Sequence, residues 1–138
     1  MRFFFYGSLL PDLAPTAIVS TIRRGHPLGN GEIRGQLYDL GDYPAGVVDP
    51  EAPTKIAGQV FEFSDDEEVI RELDAYEDFD PERPATSLFV RRLVNVDVPD
   101  GRTLPCWAYL YERDLSGKTP IPEGDYAHWR AKAQGVSV

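Results

Sequence analysis

The sequence predicts an α+β domain in which a small, curled, barrel-like β-sheet is flanked by a few short helices. Several segments with strand-like alternation carry apolar residues on both faces, which is typical of strands that are covered on two sides. A capping-box pattern in the middle of the chain starts an amphipathic helix. The 138 residues are the size of one domain, and we find no internal repeat and no linker. We therefore expect a single domain over residues 1–138.

The first half of the chain predicts three strands and one helix. The run Phe3-Phe4-Phe5-Tyr6 is aromatic in both alternating registers, as expected for a strand buried on both faces, and it ends at Gly7. A short helical pattern follows and stops at a glycine and a proline. The predicted elements are a strand over 3–6, a helix over 16–24, and strands over 32–40 and 57–63.

The second half predicts a helix, a β-hairpin and a final short helix. Ser64 would bond the first-turn amides of the helix, and Glu67 would reach back to complete a capping box. Pro99-Asp100-Gly101 matches a tight turn, so the strands on either side should pair antiparallel. The predicted elements are a helix over 65–76, strands over 88–98 and 104–111, and a helix capped by Asp125 and ended by Gly135.

Composition argues against several classes of function. The chain has 14 basic and 23 acidic side chains and a net charge of −9, so it lacks a general source of attraction for nucleic acids or anionic membranes. Its first apolar run is far shorter than the roughly 20 residues that span a bilayer, and it is a poor signal peptide. A single cysteine allows no internal disulfide, so we expect a cytoplasmic protein.

The common catalytic and metal-binding motifs are absent from the sequence. There is no nucleophile elbow, phosphate-binding loop, zinc-protease motif or C-x-x-C pair. The two histidines, His26 and His128, are too few for most metal sites, and both are predicted at the surface. Cys106 shares a strand face with Ala108 and Leu110, where a thiol usually packs as a small hydrophobe. We therefore predict no metal and no cysteine nucleophile.

One acidic residue stands apart from the acidic run around the central helix. Val69, Ile70 and Leu73 define the buried stripe of that helix, and Glu77 lies four residues after Leu73. Burial near the negative end of a helix would raise the pKa of this carboxyl toward the value that a general acid or base needs. The alternative is that the helix ends at Tyr76 and leaves Glu77 exposed.

The loop Tyr6-Gly7-Ser8-Leu9 is the other candidate for a functional element. Gly7 would let the chain turn sharply or let a ligand approach the backbone closely. Backbone amides at such a strand-to-loop turn can bind a carboxylate or an oxyanion. Glycine-serine turns after strands are common, however, and most of them are only structural.

Taken together and in order, these motifs resemble the γ-glutamylcyclotransferase-like family, which includes γ-glutamylamine cyclotransferase and AIG2-like proteins. In chain order they are Tyr6-Gly7-Ser8-Leu9, Leu37-Tyr38-Asp39-Leu40-Gly41 with Tyr43-Pro44-Ala45, Gly58-Gln59-Val60-Phe61, Leu73-Asp74 with Glu77, Arg91 with Val94 and Val96, and Trp107-Ala108-Tyr109. The resemblance covers residues 2–111, which we take as the core, with 112–138 as a C-terminal extension. It implies a mixed, barrel-like sheet with flanking helices.

The resemblance also implies a reaction on a small-molecule γ-glutamyl substrate. The α-amine of the γ-glutamyl group would attack its own γ-carbonyl and release an amine and 5-oxoproline, without a cofactor. Glu77 matches the family's catalytic carboxylate, and Tyr6, Gly7, Ser8 and Leu9 match its substrate-binding loop. Tyr109 or Tyr111 would add a phenol to the pocket, although core packing is the simpler role for either residue.

The sequence departs from the family pattern near Arg91. Family members often have a tyrosine two residues before this arginine, whereas this chain has Phe89, so a hydroxyl contact is lost. Strict alternation places Arg92 rather than Arg91 on the face of Val94, so an inward-pointing Arg91 would require a β-bulge. We expect Arg91 either to bind substrate or to form a surface ion pair. Two other functions stay open, a non-catalytic binding module on the same fold and hydrolysis of another acyl group.

Overall fold

The computed structural model describes residues 1–7, 9–11 and 13–133, so Ser8 and the predicted helix stop at Gly135 lie outside the described residues. The strands are β1 (Arg2–Phe5), β2 (His26–Asp39), β3 (Pro44–Val48), β4 (Lys55–Glu62), β5 (Phe89–Asp97), β6 (Thr103–Tyr111) and β7 (Thr119–Ile121). The helices are α1 (Thr16–Ile22), α2 (Glu67–Tyr76) and α3 (Tyr126–Ala133), with a short 3₁₀ turn over Pro84–Thr86. None of the helices in this described part is both long and apolar enough to cross a membrane.

Five of these strands close into a barrel. They pair in the order β2-β4-β1-β6-β5, and β5 returns to β2, where Asp97 lies opposite Glu32. The pairing of β1 with β6 is parallel, with Phe3 opposite Trp107, and the other pairs are antiparallel. The predicted fold class, a mixed barrel-like sheet with short flanking helices, is therefore confirmed.

The two faces of the barrel strands bury two separate groups of side chains. The barrel-interior cluster draws on all five barrel strands and includes Phe4, Ile33, Ile56, Val60, Val96 and Cys106. The helix-side cluster lies between the barrel and helices α1 and α2 and includes Phe3, Phe5, Ile22, Leu73, Phe89 and Tyr109. Strand β1 supplies both clusters by alternation, which confirms that it is buried on two faces.

Strand β6 divides in the same way. Trp107, Tyr109 and Tyr111 belong to the helix-side cluster or pack against it, whereas Cys106 and its neighbours on the other face belong to the barrel interior. The predicted hairpin with β5 is confirmed, because the two strands pair without interruption from Phe89 to Asp97. Gly101 has a φ of +89° in the connecting turn, a value that favours glycine.

Three details of the predicted elements differ in the structure. Helix α2 is capped by Asp66, whose carboxylate accepts a 2.9 Å hydrogen bond from the Glu68 amide, and Ser64 is exposed. Asp66 is the residue directly before the first helical turn, so it takes the position that we assigned to Ser64. Strand β2 begins six residues earlier than predicted, because β4 pairs with it as far back as His26. Strand β3 was not predicted, since five residues that include a proline and a glycine show no alternation.

Residues beyond Tyr111 are tied to the barrel. In β7, Ile121 lies opposite Leu37 of β2 and is fully buried. Helix α3 is capped by Asp125, as predicted, through a 3.0 Å bond from the His128 amide. Trp129 of this helix donates a 3.0 Å hydrogen bond to Asp39, so the helix is fixed against the end of β2.

Candidate active site

A cavity of about 110 Å³ lies where the barrel-interior and helix-side clusters meet. The end of β1, the loop after it, the end of α2 and strand β6 all contribute to its wall. Most of the lining is apolar. The polar side chains among the described lining residues are four tyrosines and two carboxylates, which are Tyr6, Tyr43, Tyr76, Tyr109, Glu77 and Asp78.

Glu77 enters this cavity from the end of helix α2. The helix ends at Tyr76, as the alternative sequence interpretation assumed, but Glu77 is not exposed. Its amide donates a 3.0 Å hydrogen bond to the Leu73 carbonyl, which keeps it one turn above the buried stripe. The loss of hydration raises the pKa of the Glu77 carboxyl from 4.5 to about 8.

The chain turns away from the helix end at Asp78. This residue has a φ of +56°, a left-handed conformation that glycine or asparagine usually adopts after a helix. The Phe79 amide donates a 2.9 Å bond to the Asp74 carbonyl and so closes the turn. Asp78 is exposed and lines the cavity, which places its carboxylate at the mouth.

The loop after β1 faces the same cavity as Glu77. Gly7 and Leu9 both line it, whereas Ser8 lies outside the described residues. The loop is held by a 2.9 Å bond from the Leu10 amide to the Gly7 carbonyl. A Cβ atom on Gly7 would come within 2.6 Å of Pro44 Cγ, so the loop needs glycine in order to pack against the start of β3.

Tyr6 is held between β3 and β6. Its hydroxyl donates to the Tyr109 carbonyl and accepts a 3.2 Å hydrogen bond from the Gly46 amide. Burial and the nearby Glu77 carboxylate raise the pKa of this phenol well above its usual value, so Tyr6 stays protonated. Both hydrogen bonds fix the ring as part of the cavity wall.

Tyr109 joins the cavity to a buried ion pair that the sequence did not reveal. Its hydroxyl donates a 2.7 Å hydrogen bond to Asp74 Oδ1. Asp74 is only 6% exposed, and it also accepts from Arg91 Nε at 2.9 Å and from Arg91 Nη2 at 3.3 Å. Burial, the Asp74 charge and the bond to Asp74 raise the pKa of Tyr109 far above its usual value. Of the two tyrosines considered from the sequence, Tyr109 lines the cavity, whereas Tyr111 packs against Phe89.

Arg91 lies behind the cavity wall. It is on the helix side of β5, opposite to Val94, as strict alternation predicts, and the register with β6 is uninterrupted, so no β-bulge turns it toward the face of Val94. Its guanidinium lies 4.9 Å from the centre of the Trp107 ring and 5.6 Å from that of Phe79. Arg91 is not among the described residues that line the cavity, so the structure gives no support to a direct substrate contact. The ion pair that it forms is largely buried rather than on the surface.

The remaining candidates from the sequence lie elsewhere. Cys106 is buried in the barrel interior, as predicted, and burial raises the pKa of its thiol to about 11. His26 is exposed, and His128 lies 3.1 Å from Glu123 on the surface. Within residues 1–7, 9–11 and 13–133, no group of three or more potential ligands is placed to hold a metal ion.

Comparison with known proteins connects this geometry to a family. The chain matches the family described as Gamma-glutamyl cyclotransferase, AIG2-like, over residues 3–129, which extends past the last sequence motif into α3. A search of curated proteins found no match.

Solved structures share the fold. The YtfP protein of Escherichia coli is 27% identical, with a TM-score of 0.64 over 94% of this chain and 99% of its own. An AIG2-like protein from Mus musculus is 20% identical, with a TM-score of 0.67 over 91% of this chain and 86% of its own. YkqA from Bacillus subtilis is 20% identical, with a TM-score of 0.72 over 97% of this chain but only 42% of its own, so this chain spans less than half of YkqA.

Proposed function

Because the chain belongs to the Gamma-glutamyl cyclotransferase, AIG2-like family, we propose that it converts a small γ-glutamyl amide or γ-glutamyl amino acid to 5-oxoproline and a free amine. One observation carries this proposal. The Glu77 carboxyl and the loop residues Gly7 and Leu9 line the same cavity. A proton acceptor and a potential anion-binding loop therefore face each other across a space that is too small for a large ligand.

Glu77 is the proposed general acid and base. It accepts a proton from the α-ammonium of the substrate, and the free amine then attacks the γ-carbonyl carbon of the same molecule. The carbon–nitrogen bond to the leaving amine breaks as Glu77 returns the proton to that amine. The extra proton on the new ring nitrogen then passes to the released amine, which leaves as an ammonium. Raising the pKa of Glu77 from 4.5 to about 8 brings it closer to that of an amine, so the proton transfer from the α-ammonium is less uphill than it would be to an ordinary glutamate.

The size of the cavity favours the glutamyl end of a substrate. Its volume of about 110 Å³ is well below the roughly 300–1,000 Å³ of pockets that enclose a whole drug-sized ligand. The glutamyl group would fill it, and the leaving amine would extend past Asp78 at the mouth. A tethered amine held in a tight space reacts with a large entropic advantage, which favours ring closure over hydrolysis.

The charge of the lining supports a role for the loop amides. The described lining residues include two carboxylates but no lysine, arginine or histidine. We therefore propose that the α-carboxylate of the substrate, or the developing oxyanion, is held by amides of Gly7, Ser8 and Leu9. Tyr6 and Tyr109 form the adjacent wall. The reaction needs no cofactor, and the free, buried Cys106 agrees with a reducing cytoplasm as its location.

Turnover of a substrate panel tests this proposal. The purified chain is incubated with γ-glutamyl amines and γ-glutamyl amino acids, and 5-oxoproline is measured by mass spectrometry. Glu77→Gln should lower the rate by about 10²- to 10⁴-fold, the usual contribution of a general acid or base. Glu68→Gln is the matched control, because Glu68 is exposed on the same helix, and it should keep the full rate.

Two results would contradict the proposal. Equal rates for Glu77→Gln and the unaltered protein would remove Glu77 from the mechanism. Thermal stabilisation by γ-glutamyl compounds without any 5-oxoproline would instead identify a binding module.

A further inference from the structure

The two phenols beside Glu77 both direct their protons away from it. The Tyr6 hydroxyl donates to the Tyr109 carbonyl, and the Tyr109 hydroxyl donates to Asp74 Oδ1 at 2.7 Å. Both rings line the cavity with Glu77, and the Glu77 charge acts on the pKa of each. Each phenol has only one proton, so neither can donate to Glu77 while these bonds exist.

This arrangement matters because a hydrogen bond to a carboxylate favours its charged form. A phenol that donated to Glu77 would make it a weaker base. The structure instead leaves Glu77 in a partly dehydrated cavity wall that it shares with two phenols whose protons are engaged elsewhere. A substrate ammonium can then supply a proton to this carboxylate.

The surroundings of Asp74 strengthen the hydrogen bond that it accepts from the Tyr109 hydroxyl. Its carboxylate accepts two hydrogen bonds from Arg91, and charge-assisted hydrogen bonds are stronger than neutral ones. Arg91 is itself fixed against the ring faces of Trp107 and Phe79. Asp74 also lies one helical turn before Glu77. Helix α2 therefore positions both the proposed base, Glu77, and the carboxylate that accepts the hydrogen bond from Tyr109.

We propose that Asp74 is a positioning residue which, together with Arg91, holds the Tyr109 proton away from Glu77 and so preserves Glu77 as a base. This inference rests on the proposed function only in assigning the base role to Glu77. The other titratable groups that face Glu77 are Tyr6 from β1, Tyr43 from the β2–β3 loop, and Tyr76 and Asp78 from the end of α2. The variants below leave all four in place.

A cycle of four proteins tests the proposal. Asp74→Ala combined with Arg91→Met removes the acceptor and its cation together, so no unpaired charge is left buried and the net charge is unchanged. The proteins are the unaltered chain, this double variant, Tyr109→Phe, and the triple variant that contains all three changes. The Glu77 carboxyl is titrated in each by carbon-13 NMR, which requires no substrate.

The expected result depends on the Tyr109 proton. In the double variant the freed phenol donates to Glu77, and the midpoint of its titration falls by about 1 to 2 pH units, the value of a hydrogen bond to a charged group. In the triple variant there is no phenolic proton, and the midpoint returns to that of Tyr109→Phe. An unchanged midpoint in the double variant, or an equal fall with and without Tyr109, would overturn the proposal.

A second measurement covers the case in which the double variant does not fold. In the unaltered protein, a Tyr109 hydroxyl proton bound to Asp74 should exchange slowly with water and keep its NMR shift through the titration of Glu77. A large change in that shift as Glu77 ionises would place the proton on Glu77 and refute the role of Asp74.

The pH dependence of turnover separates this proposal from the proposed function. In the double variant the acid limb of the kcat profile should move to lower pH by the same amount as the NMR midpoint, and the further addition of Tyr109→Phe should reverse that movement. If the unaltered protein forms no 5-oxoproline, the proposed function fails. The NMR cycle still decides whether Asp74 controls the Tyr109 proton.

Discussion

The two buried layers of this protein are made from opposite faces of the same strands, but they differ in chemistry. The barrel interior packs aliphatic and aromatic side chains such as Ile56, Val60 and Val96. On the helix side, the core includes Tyr109 and borders the ion pair of Asp74 with Arg91. An ionised group is costly to bury without a partner, and here the helix that packs across the strands brings Asp74 to Arg91. The buried ion pair therefore lies on the helix side of the strands.

The largest effect that this comparison predicts is a pH-dependent stability that arises on the helix side alone. The pKa of Glu77 rises from 4.5 unfolded to about 8 folded, so between these values the folded state binds one more proton than the unfolded state. The free energy of unfolding should therefore fall from pH 4.5 to pH 8, by on the order of 4 kcal/mol in total. Urea unfolding at several pH values should show this fall in the unaltered protein and in Glu68→Gln but not in Glu77→Gln. The same slope in all three proteins would refute the assignment.

A substitution in the barrel interior should behave differently. Ile56→Ala removes a side chain that is fully buried among apolar neighbours, and it should lower the free energy of unfolding by about 3 kcal/mol. This cost should be the same at pH 5 and pH 8, because no titratable group is involved. Leu93→Ala is the control, since Leu93 is 59% exposed. A cost that changed strongly with pH would show that the two layers are not independent.

The boundary between the layers should tolerate little extra volume. Gly7→Ala places a methyl group 2.6 Å from Pro44 Cγ, and it should lower the free energy of unfolding by about 2 kcal/mol through overpacking. Chemical denaturation measures this cost. If the contact with Pro44 is the cause, adding Pro44→Ala should recover most of the loss, and no recovery would point to backbone conformation instead.

The smallest effect is expected at the mouth of the cavity. Asp78 has a φ of +56°, so Asp78→Gly should relieve the left-handed strain and raise the free energy of unfolding by about 1 kcal/mol. Asp78→Asn, which keeps the size and also tolerates this conformation, should change stability less. Thermal unfolding of the unaltered protein, Asp78→Gly and Asp78→Asn ranks their stabilities. A loss of stability in Asp78→Gly would mean that the aspartate side chain stabilises the turn.

The sequence predicted those elements in which buried residues recur at regular spacing or a turn motif marks the end of a strand. Strand β1 was identified because a strand buried on both faces must be apolar in both registers, and β5 and β6 because a tight turn joins them. The inward direction of Glu77 followed from its spacing after Leu73. The direction of Glu77 could be predicted because it depends on the geometry of a single helix.

The rest of the site depends on contacts between distant residues. Asp74 was missed because an acid inside an acidic run has the pattern of a solvated helix face, and only the packing of α2 across β5 brings Arg91 to it. The same packing explains why Arg91 is buried on the helix side although it does not share the face of Val94. The cap at Ser64 was wrong because three polar residues in a row could each start the helix, and local spacing did not distinguish them.

The parallel pairing of Phe3 with Trp107 has a consequence for biosynthesis. A nascent chain that has emerged from the ribosome only as far as residue 100 already contains Glu77 and Gly7, but strand β6, which carries Tyr109 of the cavity wall, is still inside the exit tunnel. The first strand can pair with β4 at that stage, but its other edge stays open until β6 emerges. During that interval the open edge of β1 is free to pair with another chain, and the cavity is complete only after β6 has docked.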